Sequence, residues 1–295
     1  MQPQCLLAVH AHPDDESSKG AGTIARYHAL GIHTVLVTCT GGEEGDILNP
    51  AMDRPGVRER LPEIRREELE RAAAIIGYDE LVWLGYRDSG MPDTPANADP
   101  RSFARAPLDE AVGRLVTVIR RTRPQVIVTY PSEQKGYPHP DHLRVNEISE
   151  LAFDAAGDPD RFTWAGPVWQ PLKLYYVAWS VERMRLTHEK YLSLGLESPY
   201  DDERMAKLRK ILEAQADEPR VRVDIRGFAH VQRDALIAHA TQVDPTSRGW
   251  FGLPPEVADD IYPYDEYVLA RDLTGGGDGD DDLFAGVTAR SGARA

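Results

Sequence analysis

The chain has 295 residues, 41% of them hydrophobic and 28% charged, enough for one large domain or a domain with an appended lobe. Its 34 basic and 48 acidic side chains leave a formal charge of −14, a surface that repels phosphate backbones and argues against a nucleic-acid partner. Only Cys5 and Cys39 are present, both inside apolar segments; no apolar run reaches the roughly 20 residues that span a bilayer and no leader-like pattern opens the chain, so a reduced, cytoplasmic protein with no membrane partner is expected.

The first half alternates between two periods. "CLLAVHA" (5–11), "TVLVTCT" (34–40), "ELVWLG" (80–85) and "QVIVTYP" (125–131) are short runs rich in Val, Ile and Leu, as in strands buried on both faces of a parallel sheet. Between them lie helical patterns over 20–31, 61–77 and 108–124. The first two close on Gly31 and Gly77, where a left-handed cap is expected, and the third stops at Pro124. This order predicts an α/β fold: a Rossmann-like, open, mostly parallel sheet flanked by helices. After "PHPDHLRVNEISELAFDAAG" (138–157) the pattern is less regular. Strands are read at 171–179, 220–227 and 264–272, and helices at 202–215 and 228–242, making a smaller C-terminal lobe or a flap over the sheet. The predicted organisation is a catalytic core over 1–170, a portion over 171–273 that completes the fold and caps the site, and a mobile Gly- and Asp-rich tail over 274–295.

The turn after the first strand, "HAHPDDESSKGAG", places Pro, Asp and Glu where a dinucleotide-binding chain needs glycines and a pyrophosphate, so nucleotide binding is rejected there. In open α/β sheets, ligands gather beyond the carboxyl ends of the strands. "HPDD" follows the first strand and "HPDH" follows the fourth, so topology brings both to one rim. Alone, each reads as a polar turn, and Pro140 with Asp141 also suits a helix start. Together they supply two His and one acid, three ligands that leave a catalytic metal one open position. Adjacent aspartates offer one bound carboxylate and one spare base for the attacking water. The other histidines, among them His10 and His239, read as core or surface groups.

"AHPDDE" with "HPDH" resembles the LmbE-like, or PIG-L, family of zinc-dependent N-deacetylases, from about Leu6 to about Asp154. The resemblance implies hydrolysis of an amide on glucosamine, with one Zn²⁺ per chain, or Fe²⁺ in its place. Carried onto this sequence, it implies His12, Asp15 and His142 as metal ligands and Asp14 as general base. It likewise implies His139 as acid or electrostatic stabiliser, Asp141 as the partner that raises its basicity, and Tyr137 as donor to the oxyanion. "RREEL" (65–69) and "YRDSGM" (86–91) resemble the mycothiol-acting members, implying Arg65 and Asp88 on sugar hydroxyls. Read without the resemblance, the first is an ordinary helix surface and the second a loop acid. From "TGGEEGD" (40–46), Glu43 or Glu44 faces the site, Glu44 being taken as the substrate-binding residue. Lys19, and the segments 188–200 and 249–271, resemble the members that cleave S-conjugates. Lys19 would steady the acyl portion, and Trp250 and Phe251 would contact an apolar S-substituent. The implied partner is a small-molecule thiol-sugar conjugate. The alternatives are deacetylation of acetylglucosaminyl-inositol and a catalytically silent, metal-holding, sugar-binding scaffold.

Overall fold

The computed structural model describes residues 4–133, 138–214, 219–276 and 281–287. In chain order these form β1 (Cys5–His10), α1 (Asp15–Ser18), α2 (Ala21–Ala29), β2 (His33–Thr40), α3 (Leu61–Ile76), β3 (Glu80–Tyr86), α4 (Pro95–Ala98), α5 (Leu108–Thr122), β4 (Val126–Thr129) and α6 (Pro140–Ala156). There follow β5 (Lys173–Ala178), α7 (Val181–Ser193), α8 (Asp202–Ala214), β6 (Val221–Asp224), α9 (Ala229–Ala238), α10 (Arg248–Phe251), α11 (Pro255–Ile261) and β7 (Tyr264–Asp272). Among the described residues no helix is long and apolar enough to cross a membrane.

All seven strands belong to one sheet in the order β3-β2-β1-β4-β5-β7-β6. The first five pair in parallel, and β7 runs antiparallel between β5 and β6. The apolar run of β1 is explained by its central place: every one of its six residues is buried. Gly77 closes α3 at φ 92°, a left-handed conformation that a side chain would strain. Two differences from the sequence reading have physical causes. The late strands complete the fold as members of the main sheet, β5 along β4 and β7 along the remaining open edge of β5, while the lobe-like part is a small separate cluster of Val181, Met205 and Leu208 around α7 and α8. Residues 281–287, expected in a mobile tail, pack down: Leu283 and Phe284 are buried on Tyr27, whose hydroxyl accepts the Leu283 N–H at 2.8 Å.

One buried side chain secures the helix that carries "HPDH". Arg120 on α5 donates to the carbonyls of Ala155, Ala156, Asp158, Arg161 and Phe162 at 2.7–3.2 Å, satisfying the carboxyl end of α6 and the turn beyond it. Arg120→Met leaves those carbonyls short of a donor and should cost about 2–3 kcal/mol by chemical denaturation. An unchanged denaturation midpoint would show the loop satisfies itself without Arg120.

Candidate functional site

The turn after β1 is held at both ends. Tyr130, just past β4, accepts the Ala11 N–H through its hydroxyl at 3.1 Å, and its ring stacks on His142 with centroids 4.5 Å apart. The chain then turns through Asp14 at φ 115°, a conformation that is costly for a residue with a Cβ. Two buried groups hold it there. The Glu16 carboxylate accepts the Asp14 N–H at 2.9 Å, and Arg65 donates to the Pro13 carbonyl at 2.5 Å and the Asp14 carboxylate at 3.1 Å.

This turn and the first turn of α6 bring His12, Asp15 and His142 together, each nearly buried. His12 Nδ1 lies 3.5 Å and His142 Nε2 3.4 Å from Asp15 Oδ2. A tetrahedral ion with bonds of about 2.0–2.1 Å separates its ligands by about 3.4 Å, so these atoms are spaced as ligand edges would be. The second nitrogen of His12 is engaged: Nε2 lies 3.2 Å from Asp141 Oδ2 and 3.6 Å from Asp88 Oδ1. A carboxylate on one imidazole nitrogen leaves the other as the ligand. Donor set and spacing therefore fit a divalent ion. His12, Asp88, His139 and Asp141 form a second group with metal-capable atoms close together. Its carboxylates are already committed, Asp141 to the N–H and hydroxyl of Ser89 and Asp88 to the Gly90 and Glu44 N–H groups.

The electrostatics follow from burial and these partners. Burial opposes the charge on His12, but hydrogen bonds to Asp141, Asp15 and Asp88 outweigh it and hold its pKa well above the usual value. Burial likewise opposes ionised Asp15, yet Lys19, His142 and His12 hold its carboxyl well below the usual range. Asp14 is different. Burial raises its pKa, and the Arg65 guanidinium only partly counters that. His139 is pushed down to about 4, first by burial and then by the charge on His12.

His139 is the N-cap of α6, and its Nδ1 accepts the Asp141 N–H at 3.2 Å, so the neutral ring carries its proton on Nε2. The Asp141 carboxylate meets His12 and Ser89, and its negative charge also acts on His139, raising that pKa against the larger lowering by burial and by His12.

The other site residues named from the sequence are held by the following partners. Arg65 is spent on Gly42, Pro13 and Asp14, making it a brace for the turn and not a group presented to a sugar. Lys19 Nζ sits 2.6 Å from Asp15 Oδ1, pairing with a carboxylate of the metal-capable group. Glu44 pairs with Arg87 at the surface, while Glu43 accepts the Asp88 N–H at 2.9 Å and so ties its loop to the one after β3. Asp88 is nearly buried beside His12. Tyr137 lies outside the described residues.

Glu16 and His239 were missed as a pair. Both are fully buried, with His239 Nε2 2.7 Å from Glu16 Oε1. Their pKa values diverge: although burial opposes both charges, His239 is raised by Glu16, and Glu16 is lowered by His239. Glu16 was visible as the last letter of "AHPDDE". Its partner, at the C-terminal end of α9, had no local signal.

The pattern of the GlcNAc-PI de-N-acetylase (PIG-L) family matches residues 7–153. Over 288 residues the chain is 43% identical to a protein of Streptomyces coelicolor named mycothiol S-conjugate amidase, covering 96% of this chain and 97% of that one. It is 39% identical over 297 residues to a 1D-myo-inositol 2-acetamido-2-deoxy-alpha-D-glucopyranoside deacetylase of Geodermatophilus obscurus, covering 96% and 97%. Among solved structures, the N,N'-diacetylchitobiose deacetylase of Pyrococcus horikoshii superposes with a TM-score of 0.63 at 17% identity, over 92% of this chain and 85% of that one, a likeness of fold.

Proposed function

The chain belongs to the PIG-L (GlcNAc-PI de-N-acetylase) family, and we propose that it is a metal-dependent amidase for S-conjugates of mycothiol. On this reading it splits the amide between glucosaminyl-inositol and the S-substituted N-acetylcysteine, releasing a mercapturate in the cytoplasm. The observation that carries the substrate class is the 43% identity, over 96% of this chain, to the relative of that name. The hydrolytic chemistry is supported by the buried His12–Asp15–His142 group with a separate carboxylate, Asp14, next to it in the chain.

His12, Asp15 and His142 would hold the ion, Zn²⁺ or Fe²⁺, which when bound supplies Lewis acidity to an amide carbonyl and to water. Asp14 accepts the proton of the attacking water; its raised pKa suits a group that must hold that proton and then release it. Neutral His139 donates from Nε2 to the oxygen on which negative charge develops, and Tyr137 is the second donor in this scheme. The proton held by Asp14 then goes to the glucosamine nitrogen as the C–N bond breaks. Lys19 keeps Asp15 ionised, and Asp88 and Glu44 stand on the loops toward which the sugar would extend.

The deacetylase reading rests on relatives such as the Geodermatophilus obscurus protein. Offering the holoenzyme one S-conjugate and acetylglucosaminyl-inositol together, and identifying products by mass spectrometry, separates the two. Release of mercapturate as the faster reaction is expected. Acetate as the main product would replace the proposal with the biosynthetic reaction.

A further inference from the structure

A cavity of about 370 Å³ lies on one side of the metal-capable group. Ser18, Lys19 and Gly20 form its near wall, and the far walls come from the end of β5, from α7 and from the segment around α10. His12, Asp15 and His142 do not line it; it begins one side chain away, at Lys19, whose ammonium touches Asp15. The sheet order explains what this position offers. The metal-capable group stands beyond β1 and β4. Asp88 and Glu44 follow β3 and β2 on one flank, and the cavity opens past β5 on the other. An amide centred on the group thus has acidic loops toward one side and this cavity toward the other.

The lining shows what would fill it. Trp179, Tyr191, Tyr200 and Trp250 all contribute, and Trp179 and Trp250 are 56% and 41% exposed, so their indole faces are open to a ligand. Of the four arginines of the wall, three are matched by acids, Arg183 by Asp265 at 3.1 Å, Arg233 by Asp259 at 3.2 Å and Arg248 by Glu197 at 2.5 Å, and the fourth, Arg204, lies over the Tyr200 ring at 5.4 Å. The space therefore presents aromatic faces more than free positive charge. Its volume falls within the roughly 300–1,000 Å³ of pockets that enclose whole organic ligands, far more than an acetyl group needs.

We infer that this cavity receives the S-linked substituent of the conjugate and selects for an aromatic one. The inference rests on the amidase reading above, since only an acyl group bearing such a substituent would need the room. Trp179 and Trp250 would clasp the ring, and Lys19 would mark the boundary between the cleaved bond and the pocket.

The test uses zinc-loaded full-length enzyme and two probes that differ only at sulfur, the S-benzyl and S-methyl conjugates of mycothiol. The parent should prefer S-benzyl in kcat/KM. In Trp179→Ala/Trp250→Ala, the S-benzyl to S-methyl ratio should fall about tenfold, mainly through KM, as expected when the contacts of one aromatic ring are lost. Taking the ratio cancels any loss of folded enzyme. Calorimetry gives a second readout: N-acetyl-S-benzylcysteine should bind the parent more tightly than N-acetyl-S-methylcysteine, and the double variant should lose that difference. If the parent cleaves both conjugates and the ratio survives in the variant, the cavity assignment is overturned while the amidase reading stands. If the parent cleaves acetylglucosaminyl-inositol and neither conjugate, the amidase reading falls, and the inference with it.

Discussion

Asp14→Asn should lower kcat by about 10²–10⁴-fold while leaving the bound metal in place. The substitution keeps shape and removes only the ability to take a proton. Asparagine also tolerates the positive φ of this position, so the turn need not rearrange. The Arg65 hydrogen bond can pass to the amide oxygen, which keeps that brace. His142→Ala should give the contrasting result, because it removes a ring proposed to hold the ion: metal content by elemental analysis should drop along with activity. Measured side by side, the pair separates base from ligand. An Asp14→Asn enzyme that hydrolyses at the parent rate would remove Asp14 from the proton path, and one that arrives without metal would make it a ligand. Retained metal in His142→Ala would strike that histidine from the donor set.

The contrast also marks what could be read from the chain itself. The parallel half of the sheet was legible because strands buried on both faces must be continuously apolar, as "CLLAVH" is. The meeting of "HPDD" and "HPDH" followed from topology, since parallel strands send their carboxyl ends to the same rim. What local pattern does not carry is the direction in which a polar side chain is spent. Arg65 and Lys19 were assigned to substrate by residue type and resemblance, but the structure buries one under the turn and pairs the other with Asp15. The same limit hid the further partners of Asp141: the resemblance made it a partner of His139, and the fold also brings its carboxylate to His12 and Ser89. The C-terminal strands were legible as strands of a portion that completes the fold, but not the partner of each, because a strand's own residue pattern says nothing of what it pairs with.

Glu16 combines two tasks that a pair of substitutions can pull apart. One oxygen holds the Asp14 N–H and so the angle of the proposed base; the other neutralises His239 in a fully buried site. Glu16→Leu should therefore lose stability by about 3–5 kcal/mol, the usual result of leaving one member of a buried ion pair without its counterpart. It should also lose most activity, because Asp14 keeps its carboxylate but not the hydrogen bond that fixes its backbone. Adding His239→Leu removes the stranded imidazole and should recover a large part of the stability, since replacing both members of such a pair by apolar groups is often close to neutral. Activity should not return with it, as the Asp14 N–H still has no acceptor. The measurement is a double-mutant cycle followed by denaturation and by kcat in parallel. Stability and kcat recovering together would mean that Glu16 acts on catalysis only by keeping the protein folded. Stability recovering alone would assign the carboxylate to the aim of Asp14, with α9 serving as the wall from which His239 secures it.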